Sequence, residues 1–168
     1  RLVLYDNPDL TKAEVAKLKK ALPKCRISSN AGLSAIESAK VIEAVIRRHI
    51  KKPTGELTKT DLEKVTKLYL SNYNLTDIST LARLTNLEEL YLSNDTGHVN
   101  NPNLNNADLN FLKGCKQLKK LYLSYGNLTN LSFLAELTQL MELNIIANNN
   151  LTDISALAGL KQLERLEL

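Results

Sequence analysis

Apolar residues recur along most of this chain in one spacing: Val65-Leu68-Leu70, Leu87-Leu90-Leu92, Leu118-Leu121-Leu123, Leu140-Leu143-Ile145 and Leu163-Leu166-Leu168. Each set reads L-x-x-L-x-L, and successive sets start 22, 31, 22 and 23 residues apart. The closing L-x-L alternates apolar and polar positions, which is the period of a strand. Its two leucines therefore point to one face and the residue between them to the other. A second apolar stretch follows each strand, as in Leu75-Thr76-Asp77-Ile78-Ser79, Leu128-Thr129-Asn130-Leu131-Ser132 and Leu151-Thr152-Asp153-Ile154-Ser155. Its serine is a natural N-cap, and predicts a helix of one to two turns such as Thr80–Leu84.

A repeat of this length and opening predicts an α/β fold: a right-handed leucine-rich-repeat solenoid with a parallel concave β-sheet, short convex helices and helical caps. Each unit buries its apolar face only against its neighbours. The position three residues after the last strand leucine usually holds asparagine; here it is Tyr73, Asp95, Gly126 and Asn148. Neighbouring Asn72, Asn74, Asn94, Asn127, Asn149 and Asn150 are candidates for the same turn bonding. The second repeat carries nine extra residues around Asp95–Asn106. Insertions of this kind become loops on one edge, often the binding edge.

The flanks predict helical units. Ser34-Ala35-Ile36-Glu37 is a capping box that opens a helix to about Ile50, with Ile36, Ile42, Val45 and Ile46 on one side. Thr58-Lys59-Thr60-Asp61 opens a short helix leading into the first repeat strand. At the start of the chain, Arg1–Leu4 reads as a strand. Thr11-Lys12-Ala13-Glu14 then starts a helix with Val15, Leu18 and Leu22 inward, stopped at Pro23. Cys25-Arg26-Ile27 reads as a closing strand.

These pieces resemble the internalin-type leucine-rich repeats of bacterial proteins. The matching stretches are L-x-x-L-x-L, L-T-D-I-S-x-L-A-x-L and residues 44–66 (AVIRRHIKKPTGELTKTDLEKVT), which look like the repeats and helical N-terminal cap of such domains. Residues 6–27 look like the piece that closes similar domains at their C-terminal end. The resemblance implies a protein-binding role and a secreted or cell-surface setting. The expected organisation is residues 1–28 as a C-terminal capping segment displaced in chain order, 29–31 as a tag scar or linker, 32–64 as the N-terminal cap and 65–168 as repeats. Ser29-Asn30-Ala31 is the scar sequence in question. A window across two tandem solenoids and a permuted or head-to-tail assembly are alternative readings. In every version Arg1–Leu4 is expected as a parallel strand on the end of a repeat sheet, with self-association through Arg1–Leu4 and Arg165–Leu168 among the possibilities.

Charge narrows the partners. The net charge of +4 divides unevenly. Residues 1–67 hold 15 Lys/Arg against 8 Asp/Glu, and residues 68–168 hold 7 against 10. A mildly acidic repeat face argues against nucleic acid, because phosphate contacts need basic residues. The basic run Arg47-Arg48-His49-Ile50-Lys51-Lys52 ends a predicted helix, where cations favour the dipole. No apolar run approaches the roughly 18 residues of a membrane span. Cys25 and Cys115 read as free thiols, with Cys115 in place of a core leucine.

Catalysis finds little footing. The only histidines are His49 and His98, with no triad, metalloprotease or phosphate-loop pattern around them. The expectation is a non-enzymatic module with no cofactor and no metal. The outward middle positions of the strands hold Tyr69, Tyr91, Tyr122 and Asn144, then Glu167 and, in the displaced piece, Val3. A flanking column holds Lys67, Glu89, Lys120, Glu142 and Arg165, alternating in sign. Ser71, Ser93 and Ser124 line the strand exits. Tyrosine offers rigid apolar area with a hydroxyl, a composition favoured at interfaces. Cross-strand tyrosines also stabilise sheets, which is the competing structural explanation. The predicted site is this concave face, with Asp95, His98 and Asn101 as an accessory loop. The alternatives are a structural spacer of a larger surface protein and an accessory domain of an enzyme.

Overall fold

A computed structural model describes residues 1–4, 7, 10–29, 31–71, 73, 75–93, 108–124, 126 and 128–168. The chain starts with β1 (Leu2–Leu4), α1 (Lys12–Ala21) and β2 (Ile27–Ser29), followed by α2 (Ala35–His49) and α3 (Lys59–Glu63). The repeats supply β3 (Lys67–Tyr69), β4 (Glu89–Tyr91), β5 (Lys120–Tyr122), β6 (Glu142–Asn144) and β7 (Arg165–Glu167). Between them lie the 3₁₀ helices Ser79–Arg83, Asp108–Gly114, Ser132–Leu134 and Ser155–Gly159.

The five repeat strands form one parallel sheet in the order β3-β4-β5-β6-β7. Its register is in step with the repeat, so Leu68, Leu90, Leu121, Leu143 and Leu166 lie side by side. The first four are buried, along with Leu70, Leu92, Leu123 and Ile145 at the strand exits. Leu81, Leu112 and Leu134 reach the same core from the 3₁₀ side. This is the leucine-rich-repeat solenoid that the spacing predicts.

The convex helices differ from expectation in type and in capping. They are 3₁₀, and the repeat serine is not the cap. The Ser79, Ser132 and Ser155 N–H groups instead donate to the side chains of Asp77, Asn130 and Asp153, at 2.8, 3.1 and 2.9 Å. A side chain two residues upstream forms an Asx turn, which tightens the chain more than an α-helical N-cap does. The same bonds hold the Asp153 carboxyl below its ordinary pKa.

The helical segment of α2 and α3 seats on the first repeat through both apolar and polar contacts. Ile42 and Ile46 join the repeat core. The Thr76 N–H donates to the fully buried Ser38 hydroxyl at 3.2 Å, and the Thr76 hydroxyl donates to the Leu33 carbonyl. Asn86 Nδ2 donates to the Glu63 carbonyl at 3.0 Å. Ile36, expected inward, is 70 % exposed, because at 3.6 residues per turn it lies about a third of the way around α2 from the buried Ser38, Ile42 and Ile46 stripe. Leu22, also expected inward, is 44 % exposed where α1 ends.

Asp61 ties the α3 cap together. Its Oδ2 accepts from Lys52 Nζ at 2.6 Å, the Thr58 hydroxyl at 2.8 Å and the Thr58 N–H at 3.1 Å. The Lys52 ammonium first, then the Thr58 donors, hold this carboxyl well below the usual carboxylate range. A carboxylate with a depressed folded pKa stabilises the fold above its unfolded value, about 3.9. That contribution is lost as pH falls toward the folded value. The stability gap between wild type and Asp61→Asn should therefore begin to shrink below about pH 5 and go on shrinking as pH falls further, followed by denaturant unfolding at each pH. A pH-independent gap would contradict the assignment.

Asn148 holds the repeat turn. Ala147 adopts a left-handed φ of 58° and brings the chain into it. Asn148 Nδ2 donates to the Ile145 carbonyl at 2.7 Å and the Leu123 carbonyl at 3.2 Å, and its Oδ1 accepts from the Leu128 N–H at 3.2 Å. Three backbone groups of two repeats thus meet one buried amide. Asn148→Ala orphans all three and is expected to cost roughly 2–3 kcal/mol in urea unfolding. A loss within about 0.5 kcal/mol, typical of surface substitutions, would mean that other groups satisfy the turn.

The Arg1–Leu4 strand is parallel, as expected, but the position predicted for it needs correction. Among the described residues β1 pairs with β2, not with the repeat sheet. A short β-α-β connection closes this pair at small loop cost, and Leu2, Leu4, Leu10, Leu18 and Cys25 pack around Val15, Ile27 and Ala31. The closing strand falls two residues later than Cys25–Ile27, because Cys25 is spent in the turn after α1, its N–H donating to the Leu22 carbonyl. Ser29 lies in β2 and Ala31 is buried.

Candidate functional site

The strand leucines turn inward, so the residues on either side of them turn out onto the concave face. Tyr69, Tyr91 and Tyr122 are in direct register across β3, β4 and β5. Their rings stack, with centroids 4.5 Å apart and planes at 13° for the first pair, 4.6 Å and 25° for the second. Tyr69 ends the ladder and is 56 % exposed, while Tyr91 and Tyr122 are half-buried.

The charged column is a set of closed pairs. Lys67 Nζ meets Glu89 Oε1 at 2.7 Å, and Lys120 Nζ meets Glu142 Oε1 at 2.8 Å. Arg165 reaches Glu142 Oε2 at 3.5 Å. The tyrosines join these pairs: the Tyr91 hydroxyl donates to Glu89 at 3.2 Å and the Tyr122 hydroxyl to Glu142 at 3.1 Å. Each acid therefore fixes a lysine and a ring at once. The protonation states follow from this arrangement. Glu89 raises the Lys67 pKa, and Glu142 raises that of Lys120. Lys120 lowers the Glu142 pKa against an opposing desolvation. Burial, then Glu89, raises the Tyr91 phenol. Tyr91 thus presents a neutral ring, fixed by stacking on both sides and by Glu89.

Asn144, predicted as a face residue, sits in the same row but is only 6 % exposed. Its Oδ1 accepts from the Ser124 hydroxyl, and its Nδ2 donates to Glu167. The exit serines are likewise sewn into the sheet. The Ser71 hydroxyl donates to the Ser93 carbonyl at 2.7 Å, and the Ser124 N–H donates to the Ser93 hydroxyl at 2.8 Å. The row is therefore open at the tyrosine end, closed at Asn144 and open again at Glu167. The accessory residues Asp95, His98 and Asn101 lie outside the described residues.

Opposite this face, sequence reasoning missed a second aromatic pair. Phe111 and Phe133 occupy equivalent positions of adjacent 3₁₀ helices, where the other repeats have Thr80 and Ala156. Phe133 is fully buried and Phe111 packs against the same core. Their place one residue before Leu112 and Leu134 was the available signal. Cys115 fills the core position of Leu84 and Leu137, and burial pushes its thiol up to about 11, so it is packing rather than a nucleophile. Among the described residues no cluster of three His, Cys, Asp or Glu is arranged to hold a metal ion, and no helix is long and apolar enough to cross a membrane.

Two solved structures are similar to this fold over about three quarters of the chain. One is an internalin (InlF) from Listeria monocytogenes, 31 % identical, with the match covering 76 % of this chain and 42 % of that one at a TM-score of 0.54. The other is internalin C2 of the same species, 25 % identical, covering 73 % and 50 % of the two chains at a TM-score of 0.56. The chain is a leucine-rich-repeat protein that resembles these internalins. It spans half the length of these neighbours or less. No family model matches the sequence, and no curated protein matches it. The internalin-like architecture suggests a protein-interaction module in general.

Proposed function

We propose that this chain is a non-enzymatic recognition module that holds a protein partner on its concave face, in a secreted or cell-surface setting. The observation that carries this reading is the ladder Tyr69-Tyr91-Tyr122, stacked in register and open at Tyr69. Stacking and the Glu89 and Glu142 bonds hold the rings in place before contact, so a partner meets area that needs little ordering. Lys67, Glu89, Lys120 and Glu142 give the rim a fixed pattern of charge, which selects orientation more than it adds affinity. Asn144 acts as the buried spacer that positions Glu167 and Ser124. Asp95, His98 and Asn101 follow β4 directly in sequence and are proposed as accessory contacts. Five strands make a face roughly 20–25 Å across, suited to a standard protein interface.

One observation favours a structural spacer instead. The Tyr91 and Tyr122 hydroxyls and all four flanking charges are already satisfied within the sheet. The two readings separate in a pull-down that compares the intact domain with the Tyr69→Ala, Tyr91→Ala, Tyr122→Ala triple variant. Recognition predicts a partner retained by the intact domain and lost from the variant. A partner retained equally by both moves the site to loop 95–106 or to the convex side.

A further inference from the structure

Positive charge gathers where the tyrosine ladder opens. Residues 47–67 hold 7 Lys/Arg against 3 Asp/Glu, while residues 68–168 hold 7 against 10. On the repeat face the lysines are matched by acids: Lys67 with Glu89, Lys119 with Glu88 and Lys120 with Glu142. Ahead of β3 the match fails. Asp61 serves two lysines, Lys52 at 2.6 Å and Lys64 at 3.5 Å. One carboxylate cannot neutralise both, and its Oδ2 is already taken by Lys52 and the two Thr58 donors. Lys64 is the spare cation, with its side chain 62 % exposed. Arg48 and Lys51 are exposed too, and among the described residues neither side chain meets an acid. Against them stand the exposed Glu56 and Glu63, and Glu63 pairs with Lys59.

These cations adjoin Tyr69. Lys51 directly precedes Lys52, which shares Asp61 with Lys64. Lys64 lies three residues before Lys67, at most about 11 Å along the chain. Lys67 and Tyr69 project from the same face of β3, and the Tyr69 phenol and Glu88 both act on the Lys67 ammonium. The α2 dipole favours Arg48 in its last turn, and leaves that side chain free to meet a partner.

We propose that the partner segment seated on Tyr69 is an acidic stretch of protein, whose carboxylates meet Arg48, Lys51 and Lys64. The inference rests on Tyr69 being where a partner sits. Unmatched cations beside an exposed ring draw in carboxylates and set the orientation of the contact. A continuous polyanion fits this face poorly. Glu88, Glu89 and Glu142 lie about 5 to 15 Å farther across the sheet and repel negative charge that continues past Tyr69. Nucleic acid and anionic membrane carry such continuous charge, whereas a protein places acids beside Tyr69 alone.

The probe is a short fluorescein-labelled peptide of glutamates around one phenylalanine, titrated by fluorescence anisotropy. Its ring addresses Tyr69 and its carboxylates the cations. Arg48→Gln, Lys51→Gln and Lys64→Gln together should weaken peptide binding about tenfold at low salt, since each exposed ion pair contributes little alone. Wild-type binding should weaken as salt rises and the triple glutamine variant should respond less. Lys64→Arg should bind like the wild type, and Tyr69→Ala should weaken the same peptide. All three cations are exposed, so an unchanged urea midpoint confirms that the glutamine variant folds. Equal binding by wild type and the glutamine variant, or no binding at low salt, overturns the proposal. So does a DNA oligonucleotide or a phosphatidylserine vesicle that binds more tightly than the peptide through the same residues. A captured partner lost from the tyrosine triple variant but kept by the glutamine variant overturns this inference alone. A partner kept by both variants overturns the ladder reading beneath it.

Discussion

Removing the three rings together, as Tyr69→Ala, Tyr91→Ala and Tyr122→Ala, is expected to weaken partner binding by roughly 10²- to 10⁴-fold, about 3–5 kcal/mol. Aromatic anchors near the centre of an interface each cost about 2 kcal/mol or more on truncation. The sum is less than additive here, because the rings share contacts at 4.5 and 4.6 Å and lose each other as well as the partner. The variant should still fold. The two lost stacking contacts cost about 0.5–1.5 kcal/mol each. The leucine rows behind the rings, from Leu68 to Leu143, remain buried. Single variants grade the effect. Tyr69→Ala should weaken binding most per unit of stability lost, because its ring is the most exposed of the three. Tyr91→Ala should cost the most stability, because it stacks on both sides. Isothermal titration of the captured partner, with unfolding curves on the same samples, checks both rankings.

Phe133→Ala is expected to lower stability by about 3–5 kcal/mol with no direct effect on the concave face. Phe133 is among the largest fully buried side chains, and it lies on the convex side between the third and fourth repeats. A solenoid is held by nearest-neighbour contacts, so a cavity there loosens the coupling between two repeats. Domains of ordinary stability have about 5–15 kcal/mol to lose, so the variant should approach marginal folding. Urea unfolding should show a lowered midpoint, with a reduced slope if the end repeats unfold separately. A change below about 1 kcal/mol would mean that the repeats relax around the cavity. Folded molecules of this variant should still bind partner, which separates the structural aromatics from the exposed ones.

Much of this arrangement was legible in the leucine spacing. A repeat near 22 residues fixes which residues share a row, and the row fixes that Tyr69, Tyr91 and Tyr122 meet in register. The capping boxes at Thr11 and Ser34 were equally readable, because two side chains three positions apart define the motif and its hydrogen bonds. The convex side was harder. Asp77, Asn130 and Asp153 cap from two residues upstream, and nothing in the local pattern separates that geometry from a serine cap until the backbone dihedrals are known. Asn144 looked like a face residue by alternation. Its burial comes from Ser124 and Glu167 on the two neighbouring strands, a tertiary effect with no local signature. The partner of β1 was likewise undetermined by its L-x-L pattern, which fits any parallel edge. The short connection through α1 decided for β2.

The central claim is that the exposed end of the tyrosine ladder is where a partner sits. Surface labelling of tyrosine by mild iodination, read by mass spectrometry in the free domain and in its complex with captured partner, tests it most directly. Tyr69, 56 % exposed, should label readily in the free domain and be strongly protected in the complex, with Tyr91 and Tyr122 labelling weakly in both. A Tyr69 that labels equally in the free and bound states would place the partner elsewhere and contradict the account.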